Sequence, residues 1–251
     1  MKQLLLILFS FFMSDLGCFS QDTVDYKSLL NDANKLEVDN EYRLLSKAMI
    51  YQNTEKYDSA LIFYNKAIAL RENRPKIDNE NKIVLTYNEQ TNNYENQDHF
   101  ATGMIYYYTA VVCHELGKLD SAIINYKKNI SVNPKFGDAY YQLALVYFDK
   151  DQYKSAQEEL TKAVKINPQD KLYLLNRAYA NMQLNNNDSA ILDITKSLTV
   201  DPNEPYSYKM LGDIYLAKGD TIKACLQWQK AKDLNLEVEE YLNCKCKTKK
   251  N

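Results

Sequence analysis

The four residues KINP, at positions 165–168, recur in two close variants, SVNP at 131–134 and TVDP at 199–202. Successive prolines of these strings are 34 residues apart. Alanine stands twelve and twenty-four residues before each proline, and a large apolar residue stands eight before it. These positions are Ala122, Ala156 and Ala190; Ala110, Ala144 and Ala178; and Tyr126, Leu160 and Ile194. A fixed period of this length indicates a repeat architecture.

Two further segments keep the same frame without the proline. Residues 41–74 place Ala48, Ala60 and Ala67 at the expected positions, and residues 205–238 place Ala224 and Trp228 there. The string DSA also recurs in register, at 58–60, 120–122 and 188–190. The sequence therefore predicts five copies, at 41–74, 103–136, 137–170, 171–204 and 205–238.

Each copy has the pattern of two helices. In 137–170, apolar side chains recur at i, i+3, i+4 and i+7, which is one face of a helix. This core stripe is Tyr140, Leu143, Ala144 and Tyr147. A second stripe of Ala156, Leu160 and Ala163 ends before Pro168, because proline disfavours helix in the residue before it.

The turns between the two helices carry signals of their own. Gly117 and Gly219 are expected to end the first helices with a left-handed residue. Asp120 and Asp188 then fall in the first turn of the next helix, where the helix dipole favours a negative charge.

The repeat resembles the tetratricopeptide repeat, whose 34-residue pattern runs W-x₂-L-G-x₂-Y…A-x₃-F…P. The resemblance implies an all-α fold, a right-handed solenoid of helix-turn-helix repeats with a concave inner surface. Arg177 and Asn181 depart from the pattern, because they replace apolar residues in the fourth copy. That copy is therefore predicted to pack loosely.

The first twenty residues have the pattern of an export signal. Lys2 precedes an apolar run of ten residues, LLLILFSFFM at 4–13, which is shorter than the roughly 20 needed to span a bilayer. Cleavage after Ser20 would leave Gln21 at the mature N-terminus. A bacterial lipoprotein is the alternative, with Gly17-Cys18 ending a lipobox and the protein attached to the outer membrane. We expect an exported protein of bacterial type in the periplasm or cell envelope, in contact with a membrane only if Cys18 is lipidated.

Three segments lie outside the repeats. Residues 21–40 are predicted to contain an N-terminal helix, at 22–38. Residues 75–102 form a polar insertion, either a surface loop or a flap over the inner surface. Residues 239–251 are interpreted as a C-terminal cap and a basic tail, since terminal repeats need a covered outer face.

Composition and motifs argue against several classes of function. The 31 basic and 33 acidic residues give a net charge of −2, so no basic surface for nucleic acid is expected. The chain has two histidines and no glycine-rich phosphate loop. Cys113, His114 and Glu115 are adjacent in sequence and would point in different directions from a helix. We therefore predict a protein that is not an enzyme, with no catalytic residue and no cofactor.

The cysteines suggest a structural role. Cys244 and Cys246 supply only two thiolates, half of a tetrahedral metal site, so no metal is predicted. In an oxidising compartment, a C-terminal helix that folds back would bring Cys244 or Cys246 level with Cys225. The predicted disulfide is Cys225–Cys246.

The first helix of each copy carries a second apolar face. The family resemblance implies that this face, which we call the second stripe, lies on the concave surface. The stripe is aromatic and aliphatic in the three central copies. It comprises Tyr107 and Val111; Tyr141, Leu145 and Phe148; and Leu175, Tyr179 and Met182.

This composition differs from that of tetratricopeptide co-chaperones, which hold acidic C-termini with lysine, asparagine and arginine. The sequence therefore predicts a protein-interaction scaffold that binds a protein or peptide segment on the second stripe. The alternative is an outer-membrane assembly or uptake factor, anchored at Cys18, whose own chain fills the groove.

Overall fold

The computed structural model describes residues 41–73, 94–238 and Tyr241. Ten α-helices lie in these ranges, and the described residues contain no strand. The chain divides into two compact units, with the boundary between Pro134 and Lys135. The predicted signal, N-terminal helix and basic tail, with Cys18, Cys244 and Cys246, lie outside the described residues.

The first unit contains two helical hairpins. Helix α1 (Glu41–Asn53) pairs with α2 (Tyr57–Glu72), and α3 (Tyr94–Glu115) pairs with α4 (Leu119–Val132). Helix α2 also packs on α3, so the two hairpins stack. Their shared core contains the buried residues Ala48, Ala60, Tyr64, Ile105 and Val112.

The second unit contains three hairpins. They are α5 (Gly137–Asp149) with α6 (Tyr153–Ile166), α7 (Lys171–Gln183) with α8 (Asn187–Val200), and α9 (Pro205–Ala217) with α10 (Thr221–Asp233). The second helix of each hairpin packs on the first helix of the next. The prediction of an all-α helical repeat is therefore confirmed.

The recurring alanines lie where the helices approach most closely. All six alanines that were placed by their distance from a proline are fully buried. Gly212 stands at the same position in the last hairpin, and a Cβ there would lie 2.3 Å from Nε1 of Trp228. Because the ring of Trp228 fills the space that a methyl group would need, glycine is required at this crossing.

The turn inside every hairpin contains one left-handed residue at the same repeat position. Gly117 and Gly219 have φ of 67° and 80°, as predicted. The other three hairpins use Glu55, Asp151 and Asn185, with φ between 54° and 59°. These three were not predicted, because a non-glycine residue gives little signal for a left-handed conformation.

Asp58 and Asp188, from two of the three DSA strings, connect neighbouring hairpins within a unit. Asp58 and Asp188 lie in the first turns of α2 and α8. Asp58 pairs with Lys118 at 3.5 Å, and Asp188 pairs with Lys218. Both lysines belong to the next hairpin. Each carboxylate therefore interacts favourably with the N-terminus of its own helix and also forms an ion pair with the next repeat.

One boundary differs from the prediction. Helix α3 begins at Tyr94, inside the segment 75–102 that was interpreted as an insertion. The sequence YENQDHFAT contains neither proline nor glycine, so nothing in it stops the helix from extending towards its N-terminus.

Candidate functional site: the aromatic second stripe of the second unit

Helix α5 is buried on more than one face. Its core stripe lies inside as predicted, with Leu143 and Ala144 almost fully buried and Tyr140 and Tyr147 nearly so. Ala139 and Val146 are also fully buried, which the single-helix pattern did not reveal. Since α5 belongs to a stacked array, part of its surface meets elements that are distant in sequence.

The second stripe of α5 is partly covered by aromatic rings of neighbouring helices. Tyr141, Leu145 and Phe148 are each half-buried. The Tyr141 ring lies 5.3 Å from the Tyr173 ring, and the Phe148 ring lies 5.3 Å from the Tyr179 ring in an edge-on contact. The structure thus brings the second stripes of α5 and α7 into contact.

Tyr153, at the start of α6, completes an aromatic cluster with Phe148 and Tyr179. Its ring centroid lies 6.2 Å from that of Phe148 and 6.4 Å from that of Tyr179. Its hydroxyl donates a 3.0 Å hydrogen bond to Asp151, and this bond raises the pKa of Tyr153. Tyr153 was not predicted from the sequence because it lies on a second helix, although an aromatic residue at the start of that helix was a possible signal.

The second stripe of α7 is divided between core and surface. Leu175 and Met182 are half-buried and pack against the buried cluster around Ala178, Ala190 and Ile194. Tyr179 remains 41% exposed, and Leu172, at the start of α7, is 53% exposed. On α9, Tyr206 occupies the position equivalent to Leu172 and is 60% exposed.

Tyr107 and Val111 lie on α3 in the first unit, and both are half-buried. The Tyr107 ring makes edge-on contacts with the rings of Tyr108 and Tyr126. The hydroxyl of Tyr126 has no hydrogen-bond partner and is buried, which raises its pKa.

The fourth repeat packs more closely than predicted. Arg177 donates two hydrogen bonds to Asp193, from Nε to Oδ2 at 2.8 Å and from Nη2 to Oδ1 at 2.6 Å. Asn181 is buried, although its side-chain oxygen has no partner. The prediction of loose packing is wrong, because Asp193 compensates the charge of Arg177 and Ala178, Ala190 and Ile194 remain fully buried around it.

At the end of the second unit, a hydrogen bond, an ion pair and ring contacts connect four side chains. Trp228 donates from Nε1 to Asp213 at 3.1 Å, and the other oxygen of Asp213 binds Lys209 at 2.8 Å. The Lys209 ammonium lies 4.9 Å from the centre of the Tyr241 ring, which also contacts the Trp228 ring. Burial opposes the charge on Lys209, but the bond to Asp213 outweighs it and raises the pKa of the ammonium.

The cysteines and metal ligands offer little chemistry in the described ranges. Cys113 is buried, and burial raises the pKa of its thiol, so it stays protonated and a poor nucleophile. Within residues 41–73 and 94–238, no three histidine, cysteine or acidic side chains form a group that would hold a metal. Cys225 is disulfide-bonded, and its predicted partner Cys246 lies outside the described residues.

Comparison with known proteins agrees with this geometry. A tetratricopeptide repeat profile matches residues 43–74, 137–170 and 173–204, and a second TPR repeat profile matches 111–151. The chain is a tetratricopeptide repeat protein. No curated protein sequence matches it. In the described parts of this TPR protein, no helix is both long and apolar enough to cross a membrane.

Solved structures of TPR proteins share the fold at low sequence identity. MamA from Desulfovibrio magneticus RS-1 is 18% identical with a TM-score of 0.63, covering 80% of this chain and 97% of its own. YrrB, described as a TPR protein with an unusual peptide-binding site, is 19% identical with a TM-score of 0.63, covering 89% and 98%. The C-terminal part of a TPR protein from Cytophaga hutchinsonii is 16% identical with a TM-score of 0.65, covering 84% and 74%.

Proposed function

We propose that this TPR protein is an exported, non-enzymatic scaffold that binds a segment of a partner protein on the second stripe of its second unit. Tetratricopeptide repeats support the general role of a protein-interaction scaffold, and the description of YrrB as peptide-binding is consistent with it. Export rests on the signal pattern of residues 1–20.

The observation that carries the proposal is the contact between Phe148 and Tyr179. Two first helices, α5 and α7, present touching aromatic rings, and Tyr179 leaves 41% of its surface open to solvent. Aromatic residues that become buried in the complex supply much of the binding energy in protein interfaces. Leu172, about two helical turns before Tyr179 on the same face of α7, adds exposed apolar surface.

Site-specific photocrosslinking tests the location of binding. A photoreactive phenylalanine analogue placed at Phe148 or at Tyr206 should crosslink to a partner in the native cell envelope. The matched control is the same analogue at Leu192, which lies on the second helix α8 and is 69% exposed. Equal crosslinking from Leu192 and Phe148 would show that binding does not select the second stripe.

Mass spectrometry of the mature N-terminus tests export separately. A chain that begins at Gln21 is expected. A lipidated Cys18 would instead support the membrane-anchored alternative, and an intact Met1 would contradict export.

A further inference from the structure

We propose that the partner segment is uncharged and rich in aromatic or aliphatic side chains, and that acidic segments are excluded. This inference rests on the proposed function and concerns the chemistry of the same surface. It follows from how the charged side chains of the first helices of the second unit are bound. These helices, α5, α7 and α9, carry six charged side chains. The three cations are Lys171, Arg177 and Lys209, and the three anions are Asp138, Asp149 and Asp213.

All three cations already hold carboxylates of their own unit. Lys171 lies 2.8 Å from Asp201 and 3.0 Å from Glu204. Arg177 is bound in two places by Asp193, and Lys209 is bound by Asp213. An incoming carboxylate would have to displace one of these groups, which would leave that group without its partner. The surface therefore offers no ready site for an acidic tail.

The anions Asp138 and Asp213 are also satisfied within the unit. Asp138 accepts a hydrogen bond from the hydroxyl of Tyr173. Asp213 accepts from Trp228 with one oxygen while its other oxygen binds Lys209. Because these carboxylates are already hydrogen-bonded, attraction to a basic segment is weak as well.

The surface left open between these bound charges is apolar. Leu172, Tyr179 and Tyr206 are exposed by about half, and Phe148 lies against Tyr179. Charge balance across an interface favours a partner whose charge complements the surface it meets. A balanced surface with exposed aromatic and aliphatic side chains fits an uncharged apolar segment.

Selection from a phage-displayed random peptide library on the full-length protein tests this chemistry. We expect recovered peptides rich in aromatic and aliphatic residues, with no excess of acidic ones. Their binding should change little between about 0.05 M and 0.5 M salt, because it does not depend on exposed charges. Tyr179→Ser and Tyr206→Ser should each lower affinity roughly tenfold, as expected for aromatic anchors. Leu192→Ser on α8 is the control and should bind as the unchanged protein does.

A fourth variant tests the charge argument directly. Asp213→Asn keeps an oxygen that can accept from Trp228 but removes the negative charge that binds Lys209. Selection on this variant should recover acidic peptides that the unchanged protein rejects. If it does not, the bound state of the cations is not what excludes acidic partners, and the inference fails.

The remaining outcomes separate this inference from the function on which it rests. Recovery of acidic, salt-sensitive peptides that still require Tyr179 would overturn the inference and leave the scaffold role intact. Recovery of no peptide that requires Tyr179 would overturn both. A dimer in sedimentation that Tyr179→Ser dissociates would identify a second copy of the chain as the occupant, and would also overturn the inference.

Discussion

Arg177 and Asp193 form a two-bond ion pair between α7 and α8, with Asp193 only 4% exposed at its side chain. The equivalent of Arg177 in the preceding repeat is Leu143 and in the following one is Leu211. The fourth repeat thus places a paired charge at a position where both neighbouring repeats have leucine.

Removing one member of this pair should be costly. We expect Arg177→Leu to lower the free energy of unfolding by about 3 kcal/mol, because it leaves the buried Asp193 carboxylate unpaired. The double variant Arg177→Leu with Asp193→Leu should recover most of that loss, since well-packed apolar residues often replace buried ion pairs at no cost. Urea denaturation of the three proteins measures both effects. Additive losses would show that the two side chains do not interact.

The two faces of α5 should respond differently to truncation. Leu143 is almost fully buried, so Leu143→Ala should cost about 2–5 kcal/mol through the cavity that it leaves. Phe148→Ser should cost less, because half-buried Phe148 contacts only the rings of Tyr153 and Tyr179 among the described aromatic residues. Thermal unfolding compares the two variants. Equal losses would mean that the second stripe of α5 is core rather than binding surface.

The left-handed residue of the first hairpin offers a stabilising change. Glu55 has φ of 56°, a conformation that costs a side chain about 1–2 kcal/mol and costs glycine nothing. After the greater entropy loss of glycine on folding is subtracted, Glu55→Gly should stabilise the protein by roughly 0.5 kcal/mol. The reverse change at the equivalent turn, Gly117→Glu, should destabilise it. Chemical denaturation detects both, and a loss of stability in Glu55→Gly would contradict this reading of the turn.

Tyrosine ionisation should weaken the fold at high pH. Burial and a hydrogen bond to Glu72 raise the pKa of Tyr106 from about 10 to about 12. Because the folded-state pKa is the higher one, this contribution to stability is full below about pH 10 and is lost as pH rises through about 12. Unfolding measured from pH 8 upwards, in roughly unit steps, should show a shallower alkaline decline for Tyr106→Phe. An identical decline in both proteins would exclude Tyr106 as a contributor.

The disulfide of Cys225 should be detectable by peptide mapping. We expect the peptide containing Cys225 to be recovered linked to the one containing Cys246, and to become alkylated only after reduction. Cys113 should resist alkylation until the protein is denatured, because its thiol is buried. A link from Cys225 to Cys244 would correct the predicted partner, and free Cys225 in the oxidised protein would contradict the pairing altogether.

The residues that the sequence predicted correctly are those whose role follows from the periodicity of their own helix or from the 34-residue repeat. Leu143 and Leu160 follow from helical periodicity, and the six buried alanines follow from the 34-residue period. Val146 and Asp193 could not be predicted in the same way. Their burial depends on packing and pairing with other helices, which a pattern within one helix does not describe.

The candidate surface shows the same limit. Tyr141, Phe148 and Tyr179 were predicted to lie on the second stripes of their helices, as the resemblance to tetratricopeptide repeats implies. The contacts of the Tyr153 ring with Phe148 and Tyr179 could be found only in the structure. The same is true of the ion pair between Lys209 and Asp213. These contacts decide which charges remain open to a partner.

The left-handed residue inside every hairpin has a consequence for how this chain can change length during evolution. All five hairpins turn at one repeat position, so an added or lost residue there would misplace the second helix against the first. One connection between hairpins differs in length from the others. The only interruption of the 34-residue count lies there, between Glu72 and Tyr94, where the spacing from Ala60 to Ala122 is 62 residues. The hairpin, rather than the residue, is therefore the unit by which this protein can be duplicated, shortened or extended.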